Sequence, residues 1–434
     1  MAAADPAPSQ PVHGTVPPTA GLPLRAGDLL PGNVRLDAAL AHFLGVESTQ
    51  IACSGTAAFV AALTALSRLS PERDTVIVPA YTCPLMALAV AHCGLRLALC
   101  DLRAGSPDLD PAHLQSLCDT RTLAVVPTHL AGRVADVASA LRIARAAGAW
   151  VVEDAAQALG ARVGGRSVGL QGDIGFFSLA VGKGLTIFEG GVLLARDPEL
   201  REACAAALRE QARPASWRRR LAGHAWDLRR SVELLGYWAL YRPGPLGWAY
   251  LRPLRHALEQ GDWVAAAGDD FGAYIPLHGV GRWRRGVGAR ALARLPDFLE
   301  RTRARALRRI ARLARIPGVR VLGDSPAAEG AAGTWPVLLV TMPTAHSRDA
   351  LLREGWGAGD GLGLPFAHAL ADYAAYRHAV PRAAPGELPH ARDLASRLLS
   401  ISNSPWLDDA RFHAVCEAVE ACADRRGTAA RSHA

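Results

Sequence analysis

The 434-residue chain has material for two or three domains, and half of its residues are hydrophobic, which excludes a disordered or fibrous protein. Its formal charge of +8 rests on arginine and specifies no nucleic-acid partner, so none is expected. No apolar run reaches the ~18 residues that a spanning helix needs, and the eight scattered cysteines form neither a Cys-x-x-Cys pair nor a zinc-like spacing with histidine; we expect no metal, free thiols and a cytoplasmic location.

Residues 1–32, rich in Ala, Pro and Gly at their start and without the pattern of a signal peptide, read as a disordered tail. Over 33–200 short apolar runs alternate with helical ones. Candidate strands are Thr75–Pro79, Leu95–Asp101, Leu123–Pro127 and Trp150–Asp154, and candidate helices are Ala57–Leu69, Pro84–Cys93, Pro111–Leu117 and Asp136–Ala147. This alternation predicts an α/β domain with a mostly parallel sheet covered by helices on both faces, and ligands at the carboxyl ends of its strands.

Residues 201–281 have a different texture, predicted to be a helical insertion. Between Arg209 and Glu259 ten arginines face four acids, with Trp217, Trp226, Trp238 and Trp248 interleaved. One reading is a helical layer packed at a dimer interface. The sharper one is a peripheral contact with anionic lipid through 209–259, because indole and guanidinium groups suit the headgroup region. Residues 282–434 then read as a connecting helix, kinked or restarted at Pro296, followed by a small α+β domain with a strand near Trp335–Thr341 and a helix near Asp409–Ala423.

Lys183 is the only lysine in the chain and stands between Gly182 and Gly184. Every other fixed cation is arginine, which cannot form an imine, so a sole lysine suggests amine chemistry, with chance survival of one lysine as the plain alternative. Ser54-Gly55-Thr56-Ala57 before an apolar helix suits a phosphate, or is an ordinary N-cap. Glu153 and Asp154 end a buried strand, where a carboxylate must be paired, protonated or functional, and Gln157 follows three residues later. Gly172-Asp173-Ile174-Gly175-Phe176-Phe177-Ser178 precedes the lysine loop, and Glu189-Gly190-Gly191 closes it.

Taken in this order, with Pro127-Thr128-His129-Leu130-Ala131-Gly132 between them, these segments resemble the DegT/DnrJ/StrS family of fold type I pyridoxal phosphate (PLP) enzymes, best known as nucleotide-sugar aminotransferases. The resemblance implies Lys183 as the Schiff-base and proton-shuttling residue, Asp154 as partner of the pyridine nitrogen, Gln157 near the phenolic oxygen, and Gly55, Thr56, Ala57 and Ser178 around the phosphate. It further implies a homodimer and an aminotransferase moving an amino group, with glutamate the expected donor, to a keto sugar, nucleotide-linked, in polysaccharide or glycoconjugate synthesis. Another PLP reaction on the same fold, or a non-catalytic binding protein, are the alternatives. The chain departs from the family in carrying Gly184 where an asparagine is usual and Cys83 where an aromatic residue stacks on the ring, with Tyr81 as a candidate substitute.

Overall fold

The structure, a computed structural model, describes residues 14–32, 34–213, 217–384 and 386–424, apart from the side chains of 217–220. In chain order the large domain runs α1 (Leu36–Leu44), β1 (Gln50–Ala52), α2 (Gly55–Leu69), β2 (Thr75–Pro79), α3 (Pro84–His92), β3 (Arg96–Cys100), α4 (Pro111–Leu117), β4 (Thr122–Val125), α5 (Val137–Ala146) and β5 (Trp150–Asp154). It continues with the hairpin β6 (Arg162–Val163) and β7 (Arg166–Ser167), then β8 (Ile174–Ser178), β9 (Gly191–Ala195) and α6 (Pro198–Ala212). Seven strands form one sheet in the order β1-β9-β8-β5-β4-β2-β3. The pairs from β3 to β8 are parallel, whereas β9 runs antiparallel to both β8 and β1.

Strands buried on both faces need apolar residues in both phases of the pleat. In β2, Val76 and Val78 join the core that contains α2 and α3, while Ile77, between them, joins a separate core with Leu114 of α4 and Ile143 of α5. Several helices start on a side chain that accepts from the first turn: Ser54 from Ala57, Asp110 from His113, Asp136 from Ser139 and Asp197 from Leu200.

The segment that the sequence reading takes as an insertion is helical, with α7 (Trp217–Leu240), α8 (Pro243–Leu246), α9 (Arg252–Glu259) and α10 (Trp263–Ala267). Next come α11 (Arg282–Leu292) and α12 (Leu295–Leu313); the restart puts Pro296 in the first turn of α12, where its missing N–H has no intrahelical duty. The small domain holds β10 (Arg320–Leu322), β11 (Ala331–Ala332), β12 (Val337–Thr341), α13 (Ala345–Gly355), β13 (Leu362–Gly363), α14 (Pro389–Arg397), β14 (Leu398–Ser402) and α15 (Asp409–Asp424). Four of its strands form an antiparallel sheet, β10-β12-β14-β13, and β11 pairs with β6 of the large domain.

Residues 1–13 of the expected tail lie outside the described residues, but 14–25 form an extended strap that leads into a single 3-10 turn, Ala26–Leu29. Val16, Ala20, Leu22 and Leu24 are buried, and backbone bonds run from Thr15 to Pro243, Val16 to Gly359, Ala20 to Pro336 and Leu22 to Gly184. The composition conceals this because a strap without periodicity gets its order from grooves on other elements. All eight cysteines are free thiols, and among the described residues no helix is long and apolar enough to cross a membrane.

Candidate active site

Glu153 and Asp154 end β5 with side chains on opposite faces of the sheet, because the pleat alternates. Glu153 is fully buried and saturated: Oε1 accepts from the amides of Gln171 and Gly172 (both 2.6 Å), and Oε2 from Gly169 N (2.8 Å). Oε2 also meets His129 Nε2 at 3.0 Å. Since Ala135 N donates to His129 Nδ1 (3.1 Å), the ring proton stands on Nε2 and points at Glu153. His129 is therefore a buried strut between two loops.

Asp154 has no such network. Its Oδ1 accepts from Ala156 N (3.0 Å), and burial pushes its pKa up, opposed by that bond and by the charge of Lys183. Lys183 is half-buried, and its pKa is pushed down by desolvation, opposed by Cys83 and Asp154. An acid and an amine sharing a buried site with displaced pKa values in opposite senses is the arrangement expected of proton-transfer chemistry. The lysine loop is held from behind: Gly182, at φ +77°, gives its carbonyl to Thr19 Oγ1 (2.6 Å), and Leu22 N bonds Gly184 O (3.0 Å).

Beside the end of β8, α2 begins, and its first residues lie against Ser178 rather than on the wall of the cavity that Lys183 lines. A Cβ on Gly191 would lie 2.1 Å from Ser54 O, so glycine is what lets the loop's exit pass under the helix start. The first N–H groups of a helix have no intrahelical acceptor. The Ala57 amide, expected on a phosphate, is instead taken by Ser54 Oγ (3.0 Å), which leaves Gly55 and Thr56 to face a ligand. Ser178 lies beside them, its Cβ 3.1 Å from where a Gly55 side chain would begin.

Gln157 and Lys183 both line a cavity of about 660 Å³. Gln157 Oε1 accepts from Ala131 N (2.5 Å), so its NH2 is the end available to a ligand; Ala131 holds an unusual φ of +57° there. The cavity's other walls come from Thr19 of the strap, Tyr250, Leu254 and Gln260 of the insertion, and Trp356 and Ser400 of the small domain. Sequence reasoning missed these, because apolar residues in a helical insertion carry no mark of facing a site rather than a core. The Tyr81 hydroxyl donates to Phe366 O (3.0 Å) and its ring stands edge-on to Phe366. Cys83 stays beside Lys183, its thiol pushed up to about 12 by burial.

The donor set fits PLP: helix-start amides and a hydroxyl for the phosphate, a buried carboxyl for the ring nitrogen, an amide NH2 for the phenolic oxygen and one amine for the aldehyde. Buried Thr128 Oγ1, on the bridge residue paired with Asp154, and Thr82 Oγ1 lack partners among the described residues, which adds polar capacity that the protein itself leaves unused.

The sheet order and lysine-bearing cavity define a fold type I PLP-transferase scaffold. The chain belongs to the DegT/DnrJ/EryC1/StrS aminotransferase family, whose pattern it matches over residues 27–230 and 285–420. It is 38% identical over 168 residues to GDP-perosamine synthase of Caulobacter vibrioides, covering 38% of this chain and 44% of that protein. With dTDP-3-amino-3,4,6-trideoxy-alpha-D-glucose transaminase of Streptomyces venezuelae it shares 39% over 130 residues, 30% of this chain and 34% of that one. The chain thus aligns with less than half the length of these curated relatives. The aminotransferase TlmJ from Streptoalloteichus hindustanus has the same fold, with a TM-score of 0.70 at 23% identity over 94% of this chain and 99% of that one.

Proposed function

We propose that this protein is a PLP-dependent aminotransferase that moves an amino group, with glutamate as donor, to a keto sugar carried on a nucleotide, in polysaccharide or glycoconjugate synthesis. The observation that carries the reading is the single lysine of the chain, its pKa depressed, in a cavity beside the buried Asp154. Both curated relatives act, by name, on or toward nucleotide-linked amino sugars, which supports the acceptor class.

When bound, PLP supplies an electron sink for the carbanion formed at the carbon that loses or gains the amino group. The Gly55 and Thr56 amides and the Ser178 hydroxyl hold its phosphate, and the dipole of the 15-residue α2 adds to that grip. Asp154 keeps the proton on the pyridine nitrogen, and the Gln157 NH2 donates to the phenolic oxygen. The Lys183 amine, neutral at lower pH than a free lysine, takes a proton from the donor's α-carbon and returns one to the acceptor. Tyr250, Leu254 and Trp356 give the cavity an apolar wall. A second copy completing each site is part of the proposal.

The test is a half-reaction: the purified holoprotein is mixed with single amino donors, and its absorption is followed for conversion of the cofactor from the aldehyde to the amine form. Conversion by glutamate, reversed by a nucleotide-linked keto sugar, is the expected result. A cofactor spectrum unmoved by every donor would refute the aminotransferase reading.

A further inference from the structure

Gly363 of β13 stands opposite Ser400 of β14 in the antiparallel register, and directly opposed residues present their side chains on one face of a sheet. Both line the cavity that holds Lys183, and so does Trp356, whose indole is 2% exposed. A Cβ on Gly363 would lie 3.5 Å from Ser400 Oγ and 3.5 Å from Trp356 Nε1, so the two polar atoms converge on the space that this glycine leaves open. The indole is held in place by Trp263 of α10, which meets it edge-on with ring centroids 6.0 Å apart.

The protein uses neither atom. Trp356 Nε1 is buried without a hydrogen-bond partner, and Ser400 Oγ makes no hydrogen bond among the described residues. A buried donor left unpaired is costly and therefore rare. The nearby Tyr250 hydroxyl feels the indole N–H, which opposes the rise of its pKa to about 12 under burial, without closing a bond of ordinary geometry. Charge narrows what could sit there. Among the described residues no arginine lines the cavity, while Asp262 and Asp270 do, so a neutral oxygen fits the niche better than a phosphate or carboxylate. An indole N–H only donates, whereas a serine hydroxyl donates and accepts. A substrate hydroxyl matches the pair in full: its oxygen takes the indole proton, and its own proton goes to Ser400 Oγ. In a keto sugar the carbonyl must face the cofactor, so the oxygens left to reach this wall are mostly hydroxyls.

We infer that Trp356, Ser400 and the open face of Gly363 form a niche that reads one hydroxyl of the acceptor sugar and so selects among acceptors. The inference rests on the aminotransferase reading above. A site that hydrogen-bonds a substrate hydroxyl rejects the analogue lacking it, because the site's own polar groups are then left unpaired, whereas an apolar wall separates the two weakly. The glycine is part of the niche. Its φ is not left-handed, and a methyl there would meet both polar atoms at ordinary contact distance, so Gly363→Ala fills the oxygen's place without straining the strand.

The second half-reaction tests it. Holoprotein brought to the amine form by an amino donor is mixed with GDP- and dTDP-linked keto hexoses, supplied in pairs that differ by one hydroxyl. The return of the aldehyde-form absorption gives the rate and the half-saturating concentration for each sugar. Wild type should prefer the hydroxylated member of one pair by roughly 10- to 100-fold. In Ser400→Ala and in Gly363→Ala that preference should shrink to about threefold or less, while the preferences within the other pairs are kept. A merely structural role would weaken every pair alike. The inference is overturned if wild type shows no such preference in any pair, if both variants keep it, or if the variants lower all pairs together. A wild-type cofactor that no amino donor converts refutes the aminotransferase reading, and this inference with it; conversion by a donor, with preferences unchanged in the variants, refutes the inference alone.

Discussion

Replacing Glu153 by glutamine should destabilise the protein far more than replacing its neighbour Asp154 by asparagine. The Glu153 carboxylate accepts four hydrogen bonds, three from backbone amides and one from His129. Glutamine keeps one oxygen and turns the other into an NH2 aimed at two donors, so two bonds are lost and two buried donors are left unsatisfied. Each hydrogen bond to a charged group contributes about 1.5–3 kcal/mol, which puts the loss at roughly 3–6 kcal/mol. That is a large part of the ~5–15 kcal/mol by which folded domains are stable. Asp154 gives up little, because asparagine retains an oxygen for the Ala156 amide and removes a charge that burial disfavours. Urea unfolding of both cofactor-free variants at neutral pH, by fluorescence, measures the contrast. The reasoning fails if Glu153→Gln lies within about 1 kcal/mol of wild type, or if Asp154→Asn loses as much as Glu153→Gln.

Asp154→Asn should fold and lose most transamination, since a neutral amide cannot keep the ring nitrogen protonated; near-normal turnover would rule out its assignment. The raised pKa of Asp154 has a sign: the folded cofactor-free protein holds that proton to higher pH than the unfolded chain does, so the stability it contributes is present in acid and lost as pH rises through the folded value. Unfolding midpoints measured across that range should fall more steeply for wild type than for Asp154→Asn. Because Lys183 is the only lysine, acylation of its peptide against pH reads its titration directly; the midpoint should lie below 10.5, and lower still in Asp154→Asn, which removes a charge that raises it. Thr19→Val deletes the bond to Gly182 O and should cost about 1 kcal/mol of transition-state stabilisation, roughly a fivefold fall in kcat/KM. An unchanged kcat/KM would show that the strap does not position the lysine loop.

The sheet was most legible where burial on both faces forces unbroken apolar runs. Thr75–Pro79 and Trp150–Asp154 match their strands at both ends, and Pro111–Leu117 matches its helix, whose start is marked by the Asp110 cap and by Pro111 at the first position. β1, β8 and β9 were harder: they are short, glycine-bearing or edge-placed, and Gly175 and Gly191 are there for close backbone approach, a tertiary requirement that no local pattern announces. That Lys183 would stand near Asp154 and share a cavity with Gln157 could be anticipated, because amine, acid and glycine constraints leave a spaced signature. The division of labour between Glu153 and Asp154 could not, since it depends on which face of the pleat each occupies and on the loop amides of Gly169, Gln171 and Gly172 that arrive there. The strap and the insertion's wall of the cavity were hidden for a related reason. Thr19 and Tyr250 gain their positions only from distant elements.

Borohydride reduction of the purified holoprotein, followed by peptide mapping, tests the central claim most directly. A pyridoxyl group on Lys183, absent from Lys183→Arg, is the predicted result; a reduced protein with no pyridoxyl peptide would contradict it.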